Sequence, residues 1–284
     1  MRVCYLLGYP VGHSMSAVMH NAAFEEMDLR YRYDLRGVSP EKLGAFMTRE
    51  MREQAVRGAN VTIPHKVAVM GHLDEVDREA VAIGAVNTIV NEGSSLKGYN
   101  TDGIGAISAL EEAYGGLEGV KAVIVGAGGA ARAIGYRLSS LAGAIIILNR
   151  TAGRAEELAG HLSSTPECKA HIATSHLSRP ALEDALRKAD ILINTTPLGM
   201  TPSVEGTPVD AGLIQPGTLV FDTVYNPLRT RLLREAEAAG ARTLSGLRML
   251  VYQGAAAFRL WTGLEPPVET MYRAVAEALG EEWV

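Results

Sequence analysis

The stretch Lys121-Ala-Val-Ile-Val-Gly126-Ala-Gly128-Gly-Ala-Ala131 decides the fold of the second half of the chain. It predicts a buried strand, a tight turn and the start of a helix, and it matches the pattern G-x-G-x-x-A. The small residues allow the turn, the approach of a pyrophosphate and close helix packing. Any tight strand-to-helix turn can be rich in glycine, so the pattern alone is weak. Its place within a strand-turn-helix-strand unit favours a dinucleotide site formed by Gly126, Ala127, Gly128, Gly129 and Ala130.

The next predicted strand ends in Leu148-Asn149-Arg150-Thr151, which is where an NAD enzyme would offer an acid to the ribose 2′-hydroxyl. No acid is present there. Arg150 and Arg154 could instead pair with a 2′-phosphate, although they could also be solvated arginines at a helix start. Cations at a helix start are unfavourable because they lie at the positive end of the helix dipole, so a bound phosphate would explain their presence there. We therefore predict NADP as the cofactor, held also by Asn149 and Thr151.

Short β-branched runs alternate with longer amphipathic runs along the whole chain, which predicts an α/β fold with two domains. The predicted strands are Val3–Leu7, Tyr31–Leu35, Ala59–Thr62 and Val86–Asn91, then Lys121–Gly126, Ala144–Leu148, Ile191–Asn194 and Leu219–Asp222. Helices are expected over Ser16–Met27 and from after Thr101-Asp102-Gly103 to about Tyr114, and Pro40 and Pro64 look like first residues of helices.

These elements predict an N-terminal α/β substrate domain and a Rossmann-type, doubly wound NADP-binding domain. We place the first domain at residues 1–102 and 247–284 and the second at residues 103–246. The chain is expected to be helical from about Gly246 onward and to return to the first domain. That arrangement predicts a cleft between the two domains.

Composition excludes several classes of function. The 284 residues are 47% hydrophobic and 21% charged, and 27 basic against 32 acidic side chains give a net charge of −5. No basic block suggests binding to nucleic acid or lipid, and no apolar stretch approaches the length of a membrane span. Only Cys4 and Cys168 are present, without zinc spacing, which predicts a cytoplasmic protein with no metal site.

Four polar clusters lie where strands end or helices begin, which is the edge at which open α/β sheets bind ligands. Taken singly, their serines and aspartate could be helix caps or turn residues, and Lys66 a solvated lysine. The clusters are Gly12-His-Ser-Met-Ser16, Asn60-Val-Thr-Ile-Pro-His-Lys66, Gly84-Ala-Val-Asn-Thr88 and Tyr99-Asn-Thr-Asp-Gly103.

Taken together, these clusters and the cofactor motifs resemble the shikimate dehydrogenase family. The matching strings follow the family's order along almost the whole chain, and they extend to Asn149-Arg-Thr151 and Gly246-Leu-Arg-Met-Leu-Val-Tyr-Gln253. One departure is Ala17, where the family usually has proline. The resemblance implies reversible, NADPH-dependent reduction of 3-dehydroshikimate to shikimate, in the pathway to aromatic amino acids, by a monomer or a homodimer.

The resemblance also implies roles for individual residues. It assigns Lys66 and Asp102 as the catalytic pair, and Ser14 and Ser16 as ligands of the substrate carboxylate. The remaining assignments are Asn60, Thr62, Asn87 and Gln253 at the ring hydroxyls, Tyr225 in contact with the substrate, Thr223 and Gly246 near the nicotinamide, and Asp77 near the cofactor. Since oxidation of a secondary alcohol releases a proton with the hydride, we predict Lys66 as the acid/base and Asp102 as its orienting partner.

Three alternatives remain beside this interpretation. An NAD-preferring quinate/shikimate dehydrogenase should carry an acid near position 149 or 150, where this chain has Asn149-Arg150. A catalytically silent binding protein should have lost Lys66 or Asp102, and both are present. A purely structural role would leave the polar clusters without partners, at about 1 to 3 kcal/mol for each unsatisfied group.

Overall fold

The structure, a computed structural model, describes residues 1–280. The chain forms two compact units. Unit 1 comprises residues 1–105 together with the chain from Leu250 onward, and unit 2 comprises residues 106–249.

Unit 1 is built on a mixed six-stranded sheet with the strand order β2-β1-β3-β5-β6-β4. Strand β1 pairs in parallel with β2 and β3, whereas β5 is antiparallel to both β3 and β6. The strands are β1 (Arg2–Gly8), β2 (Tyr31–Gly37), β3 (Val56–Val61), β4 (Glu75–Val76), β5 (Thr88–Glu92) and β6 (Ser95–Tyr99). The helices are α1 (Ser16–Glu26), α2 (Leu43–Thr48) and α3 (Arg78–Ile83), with 3-10 helices at Pro40–Lys42, Glu50–Arg52 and Ala68–His72. Helix α4 (Asp102–Tyr114) begins in unit 1 and continues into unit 2.

Unit 2 has a fully parallel sheet, and the order of its strands is β9-β8-β7-β10-β11-β12. Counted from β7, this is the order 3-2-1-4-5-6 of the doubly wound dinucleotide-binding fold, so the predicted Rossmann-type fold is confirmed. The strands are β7 (Lys121–Val125), β8 (Ala144–Asn149), β9 (His171–His176), β10 (Ile191–Asn194), β11 (Leu219–Asp222) and β12 (Arg242–Ser245). The helices are α5 (Gly129–Ser139), α6 (Ala152–Ser163), α7 (Arg179–Leu186) and α8 (Arg231–Ala238), with a 3-10 helix at Ala211–Leu213.

Two helices, α9 (Gly246–Thr262) and α10 (Val268–Ala278), complete the described chain. Within unit 1, α10 packs against α1, which confirms that the C-terminal helices return to the first part of the chain. The indole of Trp261 is buried and donates a hydrogen bond from Nε1 to the carbonyl oxygen of Ile89 in β5, at 2.9 Å. This contact fixes the end of α9 on the sheet of unit 1.

Most predicted elements are present, and the main error concerns Pro64. The nitrogen of His65 donates to the oxygen of Thr62 at 2.9 Å, so Pro64 lies inside a tight turn, and the following 3-10 helix begins only at Ala68. The prediction that Pro64 starts a helix is therefore wrong. By contrast, Pro40 does begin a short 3-10 helix. The sequence did not predict β4, β6, β9 and β12.

Among residues 1–280, no helix is long and apolar enough to cross a membrane. The same residues contain no group of three or more histidine, cysteine or acidic side chains that could hold a metal ion. Cys4 and Cys168 are both free thiols.

Candidate active site

Lys66 and Asp102 form a largely buried ion pair in unit 1. The Nζ atom of Lys66 lies 2.5 Å from Oδ2 of Asp102, and the two side chains are 19% and 8% exposed. Lys66 follows the turn after β3, and its carbonyl oxygen accepts a hydrogen bond from the nitrogen of Val86 at 2.8 Å. Asp102 is the first residue of α4, where the helix dipole favours a carboxylate. Its backbone nitrogen donates to Oδ1 of Asn100 at 3.1 Å. Both residues are thus held by the backbone as well as by each other.

Asn87 holds the other oxygen of the Asp102 carboxylate. Its Nδ2 donates to Oδ1 of Asp102 at 2.8 Å and lies 3.0 Å from Oγ1 of Thr101. A longer contact of 3.4 Å joins the same nitrogen to Oε1 of Gln253 in α9. The predicted residues Lys66, Asn87, Asp102 and Gln253 therefore lie together in one hydrogen-bonded cluster.

Asn60 belongs to this cluster through the sheet. It lies opposite Thr88 in the register of β3 and β5. Its Nδ2 donates to Oγ1 of Thr88 at 3.0 Å and to the carbonyl oxygen of Asn87 at 3.3 Å, and its Oδ1 accepts from the hydroxyl of Tyr33 at 2.8 Å. An amide nitrogen has two hydrogens, and both are used within the protein. A substrate hydroxyl at Asn60 would therefore find an acceptor and no spare donor.

Ser14 and Ser16 bind each other at the start of α1. The hydroxyl of Ser14 donates to Oγ of Ser16 at 3.1 Å, and the nitrogen of Ser16 donates to Oγ of Ser14 at 3.3 Å. Ser14 is half-buried and Ser16 is buried. The residue that precedes the helix is Met15, and no side chain caps α1 there. Neither serine is therefore the N-cap residue, although Oγ of Ser14 accepts a hydrogen bond from the first N–H of the helix.

Thr62 lies directly after β3, where its nitrogen donates to the carbonyl oxygen of Leu7 at 2.8 Å. This bond joins the turn that carries Lys66 to β1. The side chain of Thr62 is half-buried.

A buried histidine, His20, lies behind Tyr33 in unit 1. Its imidazole stacks on the Tyr33 ring with 4.5 Å between centroids, and neither ring nitrogen has a hydrogen-bond partner among the described residues. Burial lowers the pKa of His20 to about 3, against a smaller raising effect of the nearby Asn60 side chain, which lies outside hydrogen-bond geometry. His20 is therefore a neutral part of the aromatic core on which Tyr33 rests.

The glycine-rich turn of unit 2 is shaped to accept a phosphate. Gly126 has a φ of 111°, and a Cβ atom there would collide with Oγ1 of Thr195. Gly128 has open space where a Cβ would lie. Helix α5 begins at Gly129, followed by Ala130, with no side-chain cap and no acidic residue in its first turn. Its free N–H groups and its dipole therefore fit an anion.

Arg150 and Arg154 are exposed at the end of β8 and the start of α6, and neither forms an ion pair within residues 1–280. Thr151 precedes α6, and its carbonyl oxygen accepts a hydrogen bond from Nδ2 of Asn149 at 2.9 Å. With no acid in the first turn of α6, these cations fit a phosphate group. The residues of unit 2 thus fit NADP.

A second buried network shapes the loop after β11. Asp222 accepts hydrogen bonds from Nδ2 of Asn194 at 2.9 Å, the nitrogen of Val224 at 3.1 Å and the hydroxyl of Thr230 at 2.7 Å. Burial raises the pKa of the Asp222 carboxyl to about 6, against the lowering effect of these bonds. The network fixes the loop that carries Thr223 and the half-buried Tyr225.

Gly246 lies against the same loop of unit 2. A Cβ atom on Gly246 would collide with the backbone of Thr223. The nitrogen of Gly246 also donates to the carbonyl oxygen of Val224 at 3.2 Å. Only glycine permits this close approach at the start of α9.

Asp77 precedes α3 in unit 1, and its carboxylate accepts a hydrogen bond from the nitrogen of Glu79 at 3.0 Å. This is a helix-capping role. A contact between Asp77 and the cofactor remains a prediction.

Three family models match successive parts of the chain. The shikimate dehydrogenase substrate-binding domain matches residues 6–89, shikimate/quinate 5-dehydrogenase matches residues 108–220, and the shikimate 5′-dehydrogenase C-terminal domain matches residues 246–276. The chain belongs to the shikimate dehydrogenase family.

Individual relatives in the shikimate dehydrogenase family cover nearly the full chain. The shikimate dehydrogenase (NADP+) of Moorella thermoacetica is 49% identical over 276 residues, which are 97% of this chain and 92% of the relative. The enzyme of the same name from Methanopyrus kandleri is 50% identical over 277 residues, with coverages of 96% and 94%. A crystal structure of shikimate 5-dehydrogenase from Thermus thermophilus with NADP(H) and shikimate gives a TM-score of 0.87 at 38% identity, covering 98% of this chain and 100% of that one.

These comparisons confirm the predicted family, the fold class, the class of NADP-dependent oxidoreductase and NADP as the cofactor.

The sequence assigned no role to four residues that hold the predicted site residues in place. They are Tyr33, Thr88, Asn194 and Asp222. Thr88 directly follows Asn87, and Asn194 and Asp222 each end a buried strand. Polar residues at those positions are the signal that could have revealed them.

Proposed function

We propose that this chain reduces the ketone of 3-dehydroshikimate to the alcohol of shikimate with NADPH, and catalyses the reverse reaction. The observation that carries the proposal is the Lys66–Asp102 ion pair, set among buried polar side chains in unit 1 of a shikimate dehydrogenase family member. We assign unit 1 to the substrate and catalysis and unit 2 to the cofactor. When bound, NADPH supplies the hydride that the ketone carbon gains.

Lys66 acts as the acid/base in this proposal. Reduction leaves a negative charge on the ketone oxygen as the hydride reaches carbon, and a proton must be delivered to that oxygen. The Lys66 ammonium carries three N–H donors, of which the bond to Asp102 uses one. A second N–H can therefore protonate the oxygen, and in the oxidation Lys66 takes the proton back. Asp102 orients the amine through Oδ2 while Asn87 fixes Oδ1.

The predicted binding residues supply the remaining contacts. Ser14 and Ser16 present two hydroxyl groups to the substrate carboxylate, and a hydroxyl can turn its hydrogen toward an anion. The ring hydroxyls are assigned to Asn60, Thr62, Asn87 and Gln253, and Tyr225 is assigned to the face of the substrate. At Asn60 both hydrogens of Nδ2 are used within the protein, which favours a substrate hydroxyl that donates.

For the cofactor, the turn Gly126–Ala130 receives the pyrophosphate, and Arg150 and Arg154 receive the 2′-phosphate beside Asn149 and Thr151. Thr223 and Gly246 are assigned to the nicotinamide end, and Asp77 to a cofactor contact. We also propose a monomer or homodimer in the cytoplasm, which the two free thiols favour because disulfides are rare there.

The test follows the formation of reduced nicotinamide by its absorbance, with each of four combinations of substrate and cofactor: shikimate or quinate, each with NADP+ or NAD+. The proposal requires the highest kcat/KM for shikimate with NADP+. A preference for quinate with NAD+ would support the quinate/shikimate dehydrogenase alternative. Binding of shikimate without any turnover would support the silent binding protein instead.

A further inference from the structure

Thr88 is a fully buried threonine whose one hydroxyl touches three site side chains. Its Oγ1 lies 3.0 Å from Nδ2 of Asn60, 3.0 Å from Oδ1 of Asn87 and 3.1 Å from Oγ1 of Thr101. Its side chain is 0% exposed, so no ligand can reach it. Any effect of Thr88 on the reaction must therefore pass through a neighbour.

The directions of these hydrogen bonds follow from the donors. The backbone N–H of Thr101 donates to Asn87 at 2.7 Å, so the atom it meets must be the amide oxygen Oδ1. Consequently Nδ2 of Asn87 faces Asp102. Nδ2 of Asn60 carries only hydrogens, so Thr88 accepts there and gives its single hydrogen to Oδ1 of Asn87.

Thr101 completes a closed ring with Thr88 and Asn87. Its hydroxyl accepts from Nδ2 of Asn87 and has two acceptors for its one hydrogen, Oγ1 of Thr88 at 3.1 Å and Oδ1 of Asn87 at 3.2 Å. Every hydrogen of the three side-chain polar groups is then used, and the Asn87 amide is held by donors from two directions. Neutral networks of this kind, when fully satisfied, rigidify a site.

We infer that Thr88 is a positioning residue: its hydroxyl holds the Asn87 amide so that Asn87 donates to Asp102, which in turn keeps Asp102 aimed at Lys66. This inference rests on the proposed function, since it assigns Thr88 to the geometry of that reaction. A merely structural threonine would affect the stability of unit 1 without a selective loss of turnover.

The test compares Thr88→Val, which keeps the shape and removes the hydroxyl, with Thr88→Ser, which keeps the hydroxyl. Thr88→Val should lower kcat about 10-fold to 100-fold, because small misplacements of reacting groups cost up to about that factor. The KM values for shikimate and NADP+ should stay within about threefold, and Thr88→Ser should recover most of the turnover. The matched control is Thr218→Val, at a buried threonine of unit 2, and it should keep the wild-type kcat. Among residues 1–280 the hydroxyl of Thr218 bonds only to the oxygen of Ala189.

A second readout follows the Asn87 side chain directly. In wild-type protein the Asn87 NH2 signals should show slow hydrogen exchange by NMR, and Thr88→Val should accelerate that exchange several-fold while Thr88→Ser should not. If Thr88→Val does not fold, Thr88→Ala replaces it, because alanine removes the hydroxyl without placing a methyl group against the Asn60 amide. The kinetic constants and the Asn87 amide exchange are then measured on Thr88→Ala.

Two results overturn the inference: a folded Thr88→Val protein with kcat within threefold of wild type, or a rise in KM at unchanged kcat. Failure of the proposed function has a different signature, namely wild-type protein that does not oxidise shikimate with NADP+. In that case, the hydrogen exchange rate of the Asn87 side-chain amide in Thr88→Val still decides whether Thr88 positions Asn87.

Discussion

The ammonium of Lys66 lies 2.5 Å from Oδ2 of Asp102, and the same carboxylate accepts through Oδ1 from Asn87 at 2.8 Å. Asp102 thus has one oxygen for the amine and one for a fixed amide. Because Asn87 is itself held by hydrogen bonds from Thr88 and the backbone of Thr101, the pair is set before any ligand arrives. The direction of the Lys66 side chain is therefore a property of the fold of unit 1.

Replacing Lys66 with alanine should lower kcat by about 10² to 10⁴, the usual contribution of general acid/base catalysis, while KM for shikimate stays within a few-fold. Steady-state kinetics with shikimate and NADP+ measure both constants. Lys42→Ala, at an exposed lysine of unit 1, is the control and should keep wild-type turnover. A Lys66→Ala protein with near-normal kcat would remove Lys66 from the chemistry.

The double variant Ser14→Ala, Ser16→Ala should raise KM for shikimate much more than it lowers kcat. The carboxylate of the substrate does not change during the reaction, so its contacts stabilise ground state and transition state equally. The same assay with an exposed serine replaced, Ser95→Ala, sets the baseline. Loss of kcat at unchanged KM would mean that the serine pair takes part in the chemical step.

Arg150→Asp should reduce the preference for NADP+ over NAD+ by at least about tenfold. The change removes a charged hydrogen bond worth about 1.5 to 3 kcal/mol and places a negative charge near the 2′-phosphate, while offering an acceptor to an unmodified ribose. The measurement is kcat/KM for each cofactor at fixed shikimate. Arg187→Asp, an exposed arginine after α7, makes the same charge change as a control. An unaltered ratio in Arg150→Asp would identify Arg150 as a solvated residue at the start of a helix.

His20 should make the folded protein less stable in acid. Burial holds the pKa of His20 at about 3 in the folded state, against 6.5 for an exposed histidine, so between these values the unfolded chain binds more protons. Stability is therefore lost as pH falls below 6.5, by up to about 1.4 kcal/mol per pH unit from this group. Urea unfolding of wild type and His20→Leu at several pH values measures the difference. His176→Gln, at an exposed histidine, should follow wild type, and parallel curves for wild type and His20→Leu would exclude the effect.

Asp222 should make the folded protein less stable as pH rises, which is opposite to the effect of His20. Burial raises the pKa of Asp222 from 3.8 to about 6, so between these values the folded state binds more protons than the unfolded state. Stability from this group falls as pH rises through that range. The unfolding free energy of wild type relative to Asp222→Asn should therefore decrease by up to about 1.4 kcal/mol per pH unit, measured in the same urea series. A relative stability that rises with pH would contradict the assignment.

The sequence predicted best those elements whose burial is uniform. Strands β10 and β11 were predicted with the bounds that the structure gives, because all of their residues are buried on a parallel sheet and three apolar residues precede the closing Asn194 and Asp222. Strand β9 (His171–His176) was missed because it lies at the sheet edge and is half-exposed, so it has no apolar run. Strand β6 was missed because Gly98 interrupts its pattern in the way a turn would.

Within the candidate site, the sequence indicated the residues to which we assign the chemistry but not those that hold them in place. Thr88 stands in the polar cluster Gly84-Ala-Val-Asn-Thr88, but a β-branched residue in a strand is also typical of an ordinary core, so the sequence assigns it no particular partner. Its role depends on Asn60 and Thr101, which reach it through strand register and the turn before α4. Such contacts are set by tertiary structure. His20 was missed for the same reason, since on a helix facing the core a histidine looks like any other buried ring.

The packing of α10 on α1 has a consequence for how the protein folds during its synthesis on the ribosome. Helix α1 buries Met19, Ala23 and Phe24, and its partner α10 is encoded after all of unit 2. At about 5 to 20 residues per second, residues 106–249 take on the order of ten seconds to emerge. Throughout that interval the first 105 residues lack their closing helix and expose apolar surface, and at its end unit 2 has its whole sequence while unit 1 still lacks residues from Leu250 onward. Unit 2 of the nascent chain should thus complete its fold before unit 1. Until α10 emerges, residues 1–105 should bind chaperones that recognise exposed apolar helices.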